Sequence, residues 1–326
     1  MTTVASRQVD LILQSLDQLP TLSPIAVRLL KITNAADAEF DEVIKLIESD
    51  PALSAKILSL CRRADMGAAR SITTVRRAAV MLGMEAVHSA VLSVQIYELM
   101  QQAPGAEEKR EHTIAAFDRA GFWKHSIAVA TASEMIASIA KQAKVSPEEA
   151  FVAGLVHDLG KLALDWVMPR TYDKIVKQAE SRQQVLSAVE RAVLGLDHHQ
   201  AGKRLAEHWS LPHALQDAMW LHEQSPSAMP EVPTRNVVGV VAVANGLCRR
   251  LMVGWSGGAD GAEGLIDPWC NALGVSATDL AEVANKLHES VADRCRLLGV
   301  GEHTPEAMIV ESISEANRRL SRMQDQ

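Results

Sequence analysis

Helix-start signals recur along the whole sequence, and they constrain the fold more than any other feature. A proline follows a side chain that can cap a helix in Ser23-Pro24, Asp50-Pro51, Ser146-Pro147 and Thr304-Pro305. Proline is favoured at the first helical position because the N–H that it lacks would have no partner there. Apolar residues then recur at spacings of three and four, as in Val87, Val91 and Val94. Since no run of alternating strand residues appears, the sequence predicts an all-α protein.

Composition and charge exclude several classes of protein. The chain has 326 residues, of which 48% are hydrophobic and 22% charged, so it can bury a sizeable core. A net charge of -7 without a long basic stretch argues against DNA or RNA binding. The N-terminus lacks a signal pattern, and no apolar run reaches the ~18 residues that span a bilayer. The four cysteines form no CxxC pair, as expected of buried thiols. We therefore expect a cytoplasmic protein that binds neither nucleic acid nor membrane.

One segment carries the clearest chemical signal, FVAGLVHDLGK at 151–161. His157 and Asp158 are adjacent near the end of an apolar helix, where neighbouring side chains would point about 100° apart. Imidazole and carboxylate together suit iron, zinc or manganese. Lys161 can contact a phosphate, or it can be a favourable charge near the helix C-terminus. Asp158 and Lys161 are therefore the candidate catalytic residues.

Three further histidines extend this candidate site. His125 lies near the start of a predicted helix, His198 follows Asp197, and His222 ends the helix that begins near Pro212. The candidate metal ligands are thus His125, His157, Asp158, His198 and His222. The alternative is a structural polar cluster, because buried polar groups need partners and cost ~1–3 kcal/mol each without them. Gly160 would keep the wall of the site thin, and Gly202, four residues after His198, would permit close backbone approach beside that histidine.

The order of these ligands resembles that of the HD superfamily, and four segments resemble the HDOD family. The segments are LPTLSPIAVRLLKI (19–32), IESDPALSAKILSL (47–60), SITTVRRAAVMLGME (71–85) and GLDHHQAGKRLAEHWSLP (195–212). The similarity covers roughly residues 19–298. It implies two packed helical bundles, the C-terminal one HD-domain-like. It also implies a bacterial signal-transduction protein that acts by contact with other proteins, in a family where catalysis is generally not established.

The resemblance and the breaks in the sequence predict three parts. These are an N-terminal helix at 1–18, an HDOD domain at 19–300, and a polar C-terminal helix or linker at 301–326. Within the HDOD domain, an N-terminal helical subdomain at 19–102 precedes an HD-like subdomain at 107–300, and an Ala-Pro-Gly-Ala break separates them. Proline and glycine predict two further loops, at 224–233 and 254–264.

Departures from the family patterns decide the functional prediction. Asn245 replaces the aspartate that closes a catalytic HD site, and a neutral amide is a weaker ligand. Leu221 replaces the first of two histidines found in HD-GYP phosphodiesterases, and the GYP element is absent. Arg62-Arg63 replaces an Asn-Ser pair usual in HDOD domains. We therefore predict a non-catalytic signalling domain that binds protein partners and at most one divalent ion of iron, manganese or zinc. The alternatives are an HD phosphohydrolase acting on a nucleotide or cyclic dinucleotide, and a nucleotide-binding sensor without turnover.

Overall fold

The structure is a computed structural model that describes most of the chain from Ala116 onward and parts of the N-terminal third. The described residues are 4–20, 28, 40–50, 53, 54, 58, 74–83, 87, 91, 95, 116–258 and 262–298. The helices predicted after Pro24 and after Pro305, the Arg62-Arg63 pair and the break at 103–106 lie outside these residues.

The described residues form α-helices and short 3-10 turns without a β-strand, which confirms the all-α prediction. The helices in the N-terminal third are α1 (Val4–Leu16), α2 (Phe40–Glu48) and α3 (Val75–Leu82). Those that follow are α4 (Arg119–Ile139), α5 (Pro147–Val156), α6 (Leu159–Val167), α7 (Pro169–Ser181), α8 (Leu186–Leu194), α9 (His198–His208), α10 (His213–Leu221), α11 (Arg235–Arg250), α12 (Ile266–Leu273) and α13 (Ala277–Leu298). No helix among the described residues is long and apolar enough to cross a membrane.

Helix α4 is the centre of the second bundle because nearly all of its sides are apolar. Most residues from Gly121 to Ala137 are buried, and α5, α11 and α13 pack around them. A helix with apolar residues on every side belongs inside a bundle. This packing fixes His125, in the second turn of α4, at the centre of the bundle.

Side-chain caps determine where two of the helices begin, one of them at the predicted Ser146-Pro147 signal. Ser146 Oγ accepts from the backbone N–H of Glu149 and starts α5, with Pro147 at its first position. Ser276 Oγ likewise accepts from the N–H of Asp279, whose carboxylate bonds back to Ser276 and starts α13. Caps of this kind satisfy N–H groups that have no partner inside the helix.

Helices α6 and α9 cross at a point where no side chain fits. A Cβ atom added to Gly160 would lie 1.9 Å from the carbonyl oxygen of His198 and 2.7 Å from the amide nitrogen of Gly202. The close backbone approach predicted beside His198 therefore exists, and Gly160 is the residue that makes it possible. It places Asp158, just before α6, beside His198 at the start of α9.

Helix α1 packs on α6, α8 and α9 of the second bundle. Arg204 donates two hydrogen bonds to Asp17, at 2.8 and 2.6 Å, and the indole of Trp209 donates to the carbonyl of Pro20 at 3.2 Å. The segment at 1–18 thus contacts the body of the protein, while the division into subdomains stays a prediction. Cys248, Cys270 and Cys295 are buried free thiols, as expected.

Candidate metal centre

Asp158 lies at the centre of a buried polar cluster, at the junction of two helices. The expectation that His157 and Asp158 share one helix was wrong: α5 ends at Val156, and Asp158 is the N-cap of α6. The turn between the helices aims both side chains inward. The Nε2 atoms of His157, His222 and His198 lie 3.2, 3.4 and 3.7 Å from carboxylate oxygens of Asp158. The structure therefore brings three of the candidate histidines around the carboxylate of Asp158, itself the fourth candidate ligand in the group.

His125, the fifth candidate, lies on the other side of His157. Its ring centre is 5.7 Å from that of His157, and its potential ligand atom lies within 4.8 Å of those of His157 and Asp158. Its Nε2 atom is 3.1 Å from the amide oxygen of Asn245. Asn245 thus occupies the position that the sequence comparison assigned to a closing aspartate.

Each of these histidines is anchored through its Nδ1 atom. His125, His157 and His222 contact the carbonyls of Val253, Gly154 and Ala218 at 3.0, 2.7 and 2.9 Å. A carbonyl oxygen only accepts, so in His157 and His222 the Nδ1 atom carries the proton and the Nε2 atom carries a lone pair. In His125 both ring nitrogens face oxygen atoms. Histidine ligands in metal sites are oriented by this same kind of contact.

The lone pairs so oriented have no partners among the described residues. The Nε2 atoms of His157, His198 and His222 and one oxygen of Asp158 are buried without a hydrogen bond. Although only 3.2–3.7 Å separates these nitrogens from Asp158, a lone pair facing a carboxylate is repelled. Buried polar groups are normally paired, so the arrangement fits a cation placed among these atoms.

Burial keeps the imidazoles of His125 and His222 neutral, and neighbouring charges keep Asp158 ionised. Burial, together with the neighbouring His157 and Arg249, lowers the pKa of His125 to about 3. For His222, burial outweighs the attraction of Asp158 and the pKa is again about 3. Burial opposes ionisation of Asp158, but Lys161 and His157 hold its pKa well below the usual range. Neutral imidazole and ionised carboxylate are the forms that bind metal.

His198 is held by a pair of residues that the sequence analysis missed. Glu190 accepts from its Nδ1 at 2.6 Å and from its backbone N–H at 2.8 Å, while Tyr172 donates to the other oxygen of Glu190 at 2.6 Å. Burial raises the pKa of Glu190, but His198 and these hydrogen bonds bring it below its usual value. Glu190 lies on α8, eight residues before His198, and no motif spacing signals this contact.

A second group of missed residues borders the cluster on its outer side. His199 lies between Asp197 and Glu223, with nitrogen–oxygen distances of 3.6 and 3.3 Å. Burial opposes protonation of His199, but Glu223 and Asp197 raise its pKa to about 10. A polar pocket of ≈ 310 Å³ reaches His199 and Glu223. The buried candidate ligands do not line this pocket.

Lys161 and a loop close the inner side. The expectation that Lys161 is a charge near a helix C-terminus was wrong, because this residue lies in the first turn of α6. It is fully buried, and its Nζ donates to Asp158 at 2.5 Å and to the carbonyl of Ser256 at 3.0 Å. Arg249 also donates to that carbonyl, at 3.4 Å. The first part of the predicted 254–264 loop therefore covers the cluster.

Replacing Glu190 with glutamine tests the orientation of His198. We expect Glu190→Gln to weaken Mn²⁺ binding about 10- to 100-fold, because carboxylates behind a metal-binding histidine commonly contribute that much. The Mn²⁺ affinity is measured by titrating Mn²⁺ into protein from which metal has been removed with a chelator. Tyr172→Phe, which removes only the outer hydrogen bond, should have a smaller effect. Equal affinities for wild type and Glu190→Gln would contradict the role given to Glu190.

Comparison with known proteins agrees with the fold. The crystal structure of an HDOD domain protein with unknown function from Geobacter sulfurreducens superposes with a TM-score of 0.73 at 24% identity, covering 89% of this chain and 97% of that one. A protein from Marinobacter aquaeolei VT8, named for signal transduction, superposes with a TM-score of 0.73 at 18% identity, covering 91% and 65%. One from Shewanella amazonensis SB2B, named as a phosphohydrolase, gives 0.63 at 23% identity, covering 89% and 97%.

Fold and site together define an all-α protein with an HD-type cluster of histidines around an aspartate. The HDOD domain family matches residues 19–225, and this chain belongs to that family. An uncharacterized protein of Treponema pallidum (strain Nichols) is 21% identical over 236 residues, which are 72% of this chain. The matched region spans 43% of that relative, less than half of its length.

Proposed function

We propose that this chain is a regulatory signalling domain that acts by contact with other proteins and does not turn over a substrate. One observation carries the proposal: His125, His157, Asp158, Lys161, His198, His222 and Asn245 are each at most 2% exposed. A hydrolase must admit both a phosphorylated substrate and water to its reacting atoms. The closed cluster admits neither, and membership of the HDOD family supports the signalling role.

The cluster itself retains a cation site in this proposal. Asp158, with His157, His198 and His222, would hold one divalent ion of iron, manganese or zinc. The fit rests on the buried Nε2 lone pairs and the Asp158 oxygen that lack partners among the described residues. A bound ion would supply the positive charge that these atoms face, and it would stabilise the crossing of α6 and α9. The chain's own residues orient the donors and exclude water.

The specific alternative is a metal-dependent phosphohydrolase acting on a nucleotide or cyclic dinucleotide. The convergence of three candidate histidine ligands on Asp158 favours it, as does Lys161 beside them. Asn245 weighs against it, because Arg249 donates to its amide oxygen at 3.2 Å and holds a neutral side chain where a carboxylate would complete the ligand set.

Turnover and metal content separate the two functions. We expect no hydrolysis of nucleoside phosphates or cyclic dinucleotides above background with Mn²⁺, Fe²⁺ or Mg²⁺. We also expect up to one ion per chain by elemental analysis, lost in a His157→Ala, Asp158→Ala double variant. Mn²⁺ at 100 times its Kd should raise the free energy of unfolding of wild type by about 2.7 kcal/mol. Hydrolysis by wild type that disappears in the double variant would establish the enzyme instead.

Two controls sharpen this experiment. Asn245→Asp restores the carboxylate, so activity in this variant alone would show that one residue separates this domain from a catalyst. When the full chain is used as bait for cross-linking in the native cell, wild type and Asn245→Asp should capture the same protein partner. If catalytically inactive wild type captured no partner, action by protein contact would be contradicted.

A further inference from the structure

Two groups of side chains in the cluster place potential ligand atoms within 4.8 Å of one another. The inner group is His125, His157 and Asp158, and the outer group is His198, His199, His222 and Glu223. Sites with two metal ions hold them about 3.5–4 Å apart. The cluster thus contains enough closely placed ligand atoms for two ions, and another feature must limit it to the one ion of the proposed function.

The side chain of Arg249 reaches both groups. Its Nε donates to the amide oxygen of Asn245 at 3.2 Å, and that oxygen lies 3.1 Å from Nε2 of His125 in the inner group. A terminal guanidinium nitrogen lies 3.5 Å from a carboxylate oxygen of Glu223 in the outer group. Arg249 is buried, and its guanidinium stays protonated at any physiological pH. A fixed positive charge therefore lies beside both ends of the cluster.

We propose that Arg249 is a resident cation, a positive charge of the protein itself that restricts the cluster to a single metal ion. The proposal rests on the cation site of the proposed function, whose ligands surround Asp158. A second ion would need His125 at the inner end of the cluster or Glu223 at the outer end. At either end it would lie close to the guanidinium, in a buried region where like charges repel strongly.

Arg249 also determines which atom of the Asn245 amide faces His125. A guanidinium only donates, so the amide turns its oxygen towards Arg249. The amide nitrogen is consequently buried without a hydrogen-bond partner among the described residues. Because the amide oxygen already contacts both Arg249 and His125, an ion at this end would have to displace one of these contacts. The inner end is thus closed by these contacts as well as by charge.

Replacing Arg249 with methionine removes the charge and leaves neighbouring groups with other partners. The Ser256 carbonyl still accepts from Lys161 at 3.0 Å, and Glu223 stays 3.3 Å from a ring nitrogen of His199. We therefore expect Arg249→Met to fold and to bind a second Mn²⁺ ion about 100-fold or more tightly than wild type does. Arg249→Lys keeps a positive charge at this position and should bind one ion.

Two further variants separate a resident cation from an arginine that only supports the fold. Arg250→Met is the matched control, because Arg250 is the next residue of α11 and is exposed, and it should bind one ion. Asn245→Asp alone should also bind one ion, because the new carboxylate would pair with Arg249. Combined with Arg249→Met, Asn245→Asp supplies a charged ligand beside His125 and should tighten binding of the second ion about tenfold further. A purely structural role predicts lower stability and no second ion.

The experiment uses the full chain, freed of metal with a chelator and then titrated with Mn²⁺. Calorimetry and elemental analysis give the number of ions per chain, and electron paramagnetic resonance shows whether two Mn²⁺ ions lie close enough to couple magnetically. We expect one uncoupled ion in wild type and two coupled ions in Arg249→Met. Should Arg249→Met fail to fold, Arg249→Gln removes the same charge and keeps an amide donor.

The number of ions bound decides the outcome. Two coupled ions in wild type, or a single ion in both Arg249→Met and Arg249→Gln, would overturn this proposal and leave a cation site in the cluster. A second ion in Arg249→Lys would show that charge is not what excludes it, which also contradicts a resident cation. If wild type bound no Mn²⁺, the cation site of the proposed function would fail, and this proposal would fail with it.

Discussion

Replacing Gly160 with alanine should destabilise the protein by about 3 kcal/mol or more and separate Asp158 from His198. The added methyl group would lie 1.9 Å from the carbonyl oxygen of His198, so α6 and α9 must move apart. No side-chain rotation can relieve a contact between a Cβ atom and backbone. Because Asp158 and His198 lie at this crossing, the same movement should weaken Mn²⁺ binding. Urea unfolding of the chelated protein and Mn²⁺ titration measure the two effects.

Gly202→Ala is the matched control within the same crossing. A Cβ atom there would lie 3.5 Å from Met219 and 3.6 Å from the Cα atom of Gly160, which are ordinary contact distances. Alanine is also favoured over glycine inside a helix by about 1 kcal/mol. We therefore expect Gly202→Ala to be neutral or stabilising. Equal losses of stability in the two variants would show that the helices do not cross as described.

The fold was predictable because its signals are local. Ser146, Pro147 and Ser276 mark helix starts through hydrogen bonds to residues three positions away, and the structure contains those bonds. Apolar periodicity likewise needs only one helix at a time. The steric clash that a Cβ atom would cause at Gly160 could not be predicted from the sequence. It differs from the ordinary contacts at Gly202 because of the way α6 and α9 pack.

The candidate site was predictable only in part. Its histidines and Asp158 follow the ligand order of a known superfamily, so a single sequence suggests them. The role of Glu190 becomes visible only when α8 packs against α9, because no motif spacing links it to His198. The sequence predicts the segment at 254–264 only as a loop, since nothing in it indicates that the Ser256 carbonyl accepts a hydrogen bond from Lys161.

The buried histidines should make the stability of the metal-free protein strongly dependent on pH. His125 and His222 have folded-state pKa values of about 3, below the 6.5 of the unfolded chain. Below pH 6.5 the unfolded chain binds protons at both residues while the folded protein does not, so stability falls as pH falls. His199 has a folded pKa of about 10, so its contribution is complete below pH 6.5 and is lost as pH rises towards 10. Stability should therefore be greatest near pH 6.5.

Each residue changes the unfolding free energy by about 1.4 kcal/mol per pH unit within its window. Between pH 6.5 and 5.5, where the unfolded histidines are only partly protonated, His125 and His222 together should remove about 2 kcal/mol, and between pH 7 and 9 the rise in pH should remove a similar amount of the His199 contribution. Glu223 and Asp197 do not contribute to the acid change above pH 5, because their reference pKa values are 4.5 and 3.8 and folding lowers both.

Urea unfolding from pH 5 to pH 10 in the presence of a chelator measures both limbs of this profile. His199→Gln should flatten the alkaline limb and leave the acid limb in place. His213→Gln, at an exposed position that begins α10, should preserve both limbs. A wild-type profile that is flat from pH 5.5 to 9 would show that these histidines are exposed to solvent, which contradicts both the closed cluster and the cation site built on it.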